Sequence, residues 1–283
     1  MQAAWAGKNV VGYDISDEIL AKLPARWDWL KTNYARDLAD YSDEKFDEAL
    51  KRIRTTTDLA DAVKDADIVI EAVPENIDLK HKVWKQVSEV APDHAVLATN
   101  SSYFIPSEIT PAISHPERFG ALHFANNVWR QNTGEVMGHA GTDPKVLDAI
   151  AQFAEEINLR VFRVQKETRG YLLNAQLVPL MTSAAKLYGS GAASFDEINE
   201  AFKVGLGIPF GVIQIFDVVG FGVAYEINAI SDDPDVREFA KALKIGIDNG
   251  KTGLATGEGF YVYGPDGKPT GLSKQLPEIW GAE

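Results

Sequence analysis

Residues 67–99 read as an apolar run, an amphipathic helix and a second apolar run: Asp67-Ile68-Val69-Ile70-Glu71-Ala72-Val73, then Asn76 to Val90, then Ala95-Val96-Leu97-Ala98-Thr99. Short runs that are apolar on both faces belong in a sheet covered on both sides, and a helix between two of them makes a βαβ unit. That unit constrains the chain most, because it commits the flanking segments to one parallel sheet. Lys8 to Asp14 reads as an earlier strand preceded by the turn residue Gly7, and residues 1–6 as the end of a helix. Ser16, with Asp17 and Glu18 behind it, predicts an N-cap and a helix starting near residue 17. From there to Arg54 the composition is helical and strongly charged, as in a solvated helical pair. Further strands are expected at Phe119 to Phe124, Glu135 to Met137 and Leu159 to Val164, with a helix over Asp143 to Glu156. Beyond Gly170 the pattern turns helical, at Tyr171 to Tyr188, Phe195 to Val204 and Asp235 to Asn249, with one strand at Phe260 to Tyr263. The expected organisation is an α/β domain with a parallel sheet over residues 1–167, then an all-α domain over 168–283.

Charge and composition narrow the partners. The 283 residues carry 28 Lys plus Arg against 41 Asp plus Glu, a formal charge of −13. Nucleic acid and anionic membranes call for a positive surface, so neither is expected as the main partner. A small anionic ligand is still allowed, since it needs only a local cradle. With no cysteine there is no disulfide, thiolate metal site or cysteine nucleophile, and the chain suits a reducing cytosol. No apolar run approaches the roughly 20 residues of a membrane span, and no signal-peptide pattern stands before the first strand. A cytoplasmic protein is expected.

Ligands of open parallel sheets bind at the carboxyl ends of strands. Those ends carry Asp14, Glu75-Asn76, Asn100-Ser101-Ser102 and His123. An acid in the position of Asp14 can accept hydrogen bonds from the ribose hydroxyls of a dinucleotide and repel the extra phosphate of NADP, which favours NAD; it could equally cap the next helix. The glycine fingerprint of such a site should lie about 20 residues earlier. Only thirteen residues precede Asp14, and their glycines, Gly7 and Gly12, open no strand-to-helix turn. The first strand and phosphate loop are thus expected to be missing from the sequence as given. His123 is either a structural histidine or a proton acceptor near neutrality. Glu135, twelve residues on, would hold its imidazole in one tautomer if the two strands are neighbours. Ser102 and Asn174 are candidate donors to a substrate oxygen; their ordinary alternatives are a helix cap and an interhelix contact. His81, His94, His115 and His139 have no ligand spacing, so no metal site is expected.

Taken together, Tyr13-Asp14, Glu71-Ala72-Val73-Pro74-Glu75-Asn76 with Lys80, Asn100-Ser101-Ser102, His123-Phe124-Ala125-Asn126 with Glu135, and Gly170-Tyr171-Leu172-Leu173-Asn174 resemble the L-3-hydroxyacyl-CoA dehydrogenases. Gly207-Ile208-Pro209-Phe210-Gly211, Asp217-Val218-Val219-Gly220 and Thr256-Gly257-Glu258-Gly259-Phe260-Tyr261 extend the match over nearly the whole chain. The resemblance implies a Rossmann-like NAD domain and a helical domain that forms a homodimer, with the active site in the cleft between them. It implies that His123 takes the proton of the substrate 3-hydroxyl while hydride passes to the nicotinamide. Glu135 would orient and charge-stabilise His123, Ser102 and Asn174 would hold the substrate oxygen, and Asp14, Glu75, Lys80, Asn100 and Asn126 would contact the cofactor.

The chain departs from the family pattern near the base. Phe124-Ala125-Asn126-Asn127 stands where Phe-Phe-Asn-Pro is usual, and Trp129-Arg130 follows, so Arg130 could meet an anionic group of the substrate. Ala175 replaces a common Arg, Arg169 a usual Pro, and Leu254-Ala255 a basic residue. The leading expectation is oxidation of a short (3S)-3-hydroxyacyl-CoA such as 3-hydroxybutyryl-CoA. The alternatives are a dehydrogenase of a free 3-hydroxy acid of the carnitine or gulonate type, and an inactive form that only dimerises.

Overall fold

The computed structural model describes residues 1–281, which divide into two compact units, Met1–Ala175 and the described residues from Gln176 onward. In the first unit, helices α1 (Gln2–Trp5), α2 (Asp17–Leu20), α3 (Leu23–Asp37), α4 (Asp43–Lys51), α5 (Leu59–Val63), α6 (Ile77–Val90), α7 (Pro106–Ile109) and α8 (Pro144–Glu156) alternate with seven strands. These are β1 (Val10–Tyr13), β2 (Ile53–Thr56), β3 (Ile68–Glu71), β4 (Val96–Thr99), β5 (Phe119–Phe124), β6 (Thr133–Met137) and β7 (Arg160–Val164). β1 and β2 form a parallel pair of their own, and the other five form one sheet in the order β3-β4-β5-β6-β7.

The sheet is parallel as expected at β3-β4, β4-β5 and β6-β7, and only β5 and β6 pair antiparallel. The link from Ala125 to Asn132 is too short for a parallel crossover, which needs a dozen or more residues. The register sets His123 directly opposite Glu135. Alternation along β5 puts Phe119, Ala121 and His123 on one face and Leu122 on the other, where Leu122 meets Ile150, Ala151 and Ala154 of α8. The opposite face is covered by Trp84 and Val87 of α6, packed on Leu97 and Phe119.

Ile53 and Arg54, expected at the end of the helical stretch, lie instead in strand β2, which pairs residue for residue with β1. The charged pair α3 and α4 is more than solvated surface. Leu30, Tyr34, Phe46 and Ala49 close an aromatic core with Trp5 of α1 and Trp129 from the loop after β5. No helix among the described residues is long and apolar enough to cross a membrane.

Helix α9 (Leu173–Gly189) begins in the first unit. The second unit holds the rest of it with α10 (Phe195–Leu206), α11 (Val212–Val219), α12 (Phe221–Asn228), α13 (Pro234–Asp248) and the strands β8 (Tyr261–Tyr263) and β9 (Pro269–Leu272). Tyr188, Phe195, Phe216, Phe221, Phe239 and Phe260 form its core. The unit is mainly helical but not all-α, because β8 pairs antiparallel with β9. β9 is exposed at all four residues and has no apolar alternation to mark it.

Candidate functional site

His123 is the last residue but one of β5, whose partner β6 presents Glu135 across a cross-strand pair, and the side chains meet. His123 Nδ1 lies 2.7 Å from Glu135 Oε2, and both side chains are 5 % exposed. The carboxylate accepts, so Nδ1 carries the proton and Nε2 holds the free lone pair. Nε2 faces Ser102 Oγ at 3.2 Å. The other carboxylate oxygen, Glu135 Oε1, accepts the backbone N–H groups of Leu172 and Leu173 at 2.8 and 2.9 Å. Burial pushes the Glu135 carboxyl up, but the bonds from His123, Leu173 and Leu172 outweigh it and hold the group below its ordinary value. Glu135 stays ionised, and the imidazole stays in one tautomer.

Glu71, at the end of β3, organises the neighbouring loops. Its Oε1 accepts from Val73 N and Lys80 Nζ, both at 2.8 Å, and its Oε2 accepts from Thr99 Oγ1 at 2.8 Å and Trp84 Nε1 at 3.2 Å. Lys80, placed by the resemblance on the cofactor, is 1 % exposed and turned inward; its ammonium bridges Glu71 and Glu75 Oε2, the latter at 3.0 Å. It reaches the ligand edge only through Glu75, whose Oε1 accepts Ser101 Oγ at 2.8 Å, Tyr103 N at 3.1 Å, and Ser102 N. For Glu75 too, burial raises the carboxyl while Ser101, Lys80 and Ser102 bring it below the ordinary value. Glu71, Lys80 and Glu75 thereby fix the backbone that carries Ser102.

The structure joins Ser102, His123 and Glu135, with Glu75 on the backbone N–H of Ser102. Ser102 caps no helix, since α7 starts at Pro106 behind Ile105. Asp14 caps none either: Ser16 caps α2, and the Asp14 carboxylate, at the carboxyl end of β1, has no side-chain partner among the described residues. Asn100 Oδ1 accepts Phe124 N at 3.0 Å and ties the β4 loop to the end of β5. Asn126 is exposed. Asn174 lies in the first turn of α9 and makes no side-chain hydrogen bond among the described residues. Arg130 is drawn toward α3, where Arg36 above all, then Trp129 and Arg130, hold Asp37 below its ordinary value. Trp129 pins that loop, donating from Nε1 to Asp37 Oδ2 at 2.9 Å. No group of three or more His, Cys, Asp or Glu among the described residues is set to hold a metal.

The profile described as 3-hydroxyacyl-CoA dehydrogenase, NAD binding domain, matches residues 1–168, and that of the 3-hydroxyacyl-CoA dehydrogenase C-terminal domain matches residues 170–263. The chain belongs to the 3-hydroxyacyl-CoA dehydrogenases. It is 31 % identical to the mitochondrial hydroxyacyl-coenzyme A dehydrogenase of Homo sapiens over 92 % of this chain and 85 % of that protein. Among solved structures it is 45 % identical to a diketoreductase described in terms of dual catalysis of dicarbonyl compounds, with TM-score 0.87 over 93 % of each chain. It is 30 % identical to the (S)-3-hydroxybutyryl-CoA dehydrogenase of Ralstonia eutropha, with TM-score 0.72 and the same coverage of both chains.

For a 3-hydroxyacyl-CoA dehydrogenase the cofactor is NAD. Polar and acidic groups gather at the strand ends, in keeping with a dinucleotide. Asp14 has a carboxylate just past β1 that is unpaired among the described residues, and the loops of Glu75 and Asn100 meet at the end of β5 that presents His123. Sequence reasoning missed the hub role of Glu71, the turn built by Ser101, and Tyr171, whose ring stacks on His123 with centroids 4.7 Å apart. A signal for Glu71 was present: an acid ending an apolar strand, with Lys80 and Trp84 four residues apart on one face of the following helix.

Proposed function

We propose that the chain oxidises the 3-hydroxyl of a short (3S)-3-hydroxyacyl-CoA, with His123 as the base. The observation that carries this reading is the line from Ser102 Oγ through both imidazole nitrogens to Glu135, with Glu135 clamped by two amides. Nε2 takes the hydroxyl proton, and the imidazolium that forms is stabilised by the ionised Glu135 at 2.7 Å. Ser102, and Asn174 from the first turn of α9, donate to the substrate oxygen. Asp14, Glu75, Asn100 and Asn126 are the residues to hold NAD, which when bound supplies the hydride acceptor. In the reverse direction the imidazolium returns its proton to the carbonyl oxygen.

A second reading is favoured by the 45 % identity to the diketoreductase and by the departures at Ala125, Asn127 and Arg130. Here the substrate is a free 3-hydroxy acid, whose carboxylate Arg130 would meet, or a neutral dicarbonyl. Following NADH absorbance with (3S)-3-hydroxybutyryl-CoA beside free 3-hydroxy acids and a dicarbonyl separates the two. Turnover of the thioester alone supports the first, and turnover of the free compounds alone overturns it. Titration with NAD against the fluorescence of the six tryptophans tests whether the chain binds its cofactor or only dimerises.

A further inference from the structure

Tyr171 combines three features that ordinary packing does not require. Its backbone sits in the left-handed region at φ +56°, directly after Gly170 at φ +74°, a conformation that side chains with a Cβ rarely adopt. Its ring is fully buried and lies nearly parallel to the imidazole of His123, at 4.7 Å between centroids and 21° between planes. Its hydroxyl is buried without a hydrogen-bond partner. Such strain persists where the surroundings over-determine it, and it gathers at functional sites.

The turn has a consequence in the chain that follows. Two successive left-handed residues reverse the backbone so that the next two N–H groups, of Leu172 and Leu173, converge on one oxygen of Glu135. The same residue therefore aims the amides that hold Glu135 and sets an aromatic face against His123. An aromatic face attracts a cation more than a neutral ring, so the stack favours the imidazolium that exists only after proton transfer.

We propose that Tyr171 is a positioning residue for the His123–Glu135 pair, acting through its ring face and its left-handed backbone, with its hydroxyl dispensable. The inference rests on the reading of His123 as the base. The titratable groups around the imidazole are Glu135 from β6, Tyr171 itself and, one step away through Ser102, Glu75. Burial first, then Glu75, Glu135, Glu71 and Glu167, pushes the Tyr171 phenol well above its ordinary value, so it stays neutral.

The test compares Tyr171→Leu, which fills the space without a π-face, with Tyr171→Phe, which keeps the face and drops the orphan hydroxyl. Tyr171→Leu is expected to lower kcat roughly tenfold with KM little changed, and to move the acid limb of the kcat/KM profile to lower pH. The ring-proton resonance that His123→Gln removes from the NMR spectrum should also move downfield in Tyr171→Leu, because the ring current is lost. Tyr171→Phe is expected to rescue kcat to within about twofold and to raise Tm. If Tyr171→Leu does not fold, Tyr171→Met takes its place. Parent-like kcat, acid limb and resonance in a folded Tyr171→Leu would overturn the proposal, as would a Tyr171→Phe as impaired as Tyr171→Leu. An active His123→Gln would sink the base assignment instead, while the resonance shift would still report the stack.

Discussion

Glu135 uses both carboxylate oxygens, one on His123 and the other on the amides of Leu172 and Leu173, and this division predicts its variants. In Glu135→Gln the two amides keep the carbonyl oxygen, so the NH2 group faces His123 Nδ1 and forces the proton onto Nε2. The base is then blocked in a folded protein. The oxidation rate should fall by about 10²-fold or more, matching His123→Gln, with the circular dichroism spectrum unchanged. A Glu135→Gln rate within a few-fold of the parent would remove the tautomer argument. Lys80 belongs to a different class, because its loss strands the buried Glu71 carboxylate among neutral donors. Lys80→Met should cost about 3–5 kcal/mol in urea unfolding. Lys51→Met, which breaks the exposed pair with Glu48, should change nothing measurable. That His123, Glu135 and Ser102 come together was legible in the sequence, because strand ends and a recurring motif mark them. Lys80 was legible as important and not as buried. Residue order gives no sign of where a long cation points, and here Glu71 and Glu75 draw it inward.

At the scale of elements, length and periodicity decided what could be read. β3, α6, β4 and α8 carry enough apolar repeats to declare themselves, whereas β2 has four residues with Arg54 and Thr55 exposed. α11 and α12 hide behind the glycines around them: Gly220, at φ +90°, ends one helix and starts the next within a single residue. α11 is tied to β8 by one buried side chain. Asp217 Oδ1 accepts Phe260 N at 2.7 Å, and Oδ2 accepts Tyr261 N at 3.1 Å and Tyr263 Oη at 2.8 Å. No cation joins this cluster among the described residues, so burial dominates and the carboxyl is pushed up from 3.8 to about 6. The folded state therefore keeps a proton that the unfolded state has already lost, and stability falls as pH rises from about 4 to about 6. The total for a shift of this size is about 3 kcal/mol. Glu75 and Glu135, held low, act the other way and only below the ordinary carboxylate range. Between about pH 5 and pH 6.5 the fall should thus belong to Asp217. Urea unfolding at those two pH values should show a loss of about 1–2 kcal/mol in the parent and a flat response in Asp217→Asn. Asp217→Asn should also be less stable throughout, because its NH2 group would face the donors of Tyr261 or Phe260. A parent as stable at the higher pH as at the lower one would contradict the account.

For the whole molecule, the charge of −13 and the apolar residues left on the second unit pull in opposite directions. Val204 and Leu206 on α10 are 78 % and 62 % exposed, and Ile230 just after α12 is 83 % exposed, with Ile208, Phe210, Val223 and Ile227 also exposed nearby in sequence. Exposed apolar side chains in this number on one unit of an acidic chain are what association would cover. We propose a second copy as the occupant, in line with the dimer that the family resemblance implied. Two chains of −13 repel each other, so the apolar contact has to outweigh a like-charge term that salt screens over about 10 Å at 0.1 M. Association should therefore tighten as salt is raised, the reverse of an interface held by ion pairs. Sedimentation at micromolar concentration should give twice the chain mass, with the dissociation constant falling between about 0.05 and 0.5 M salt. Val204→Glu combined with Leu206→Glu places charges on a surface that is solvated in the single chain. It should give one chain mass with no loss of helical signal. A parent that sediments as a single chain, or a double variant that stays paired, would refute the assignment of this surface.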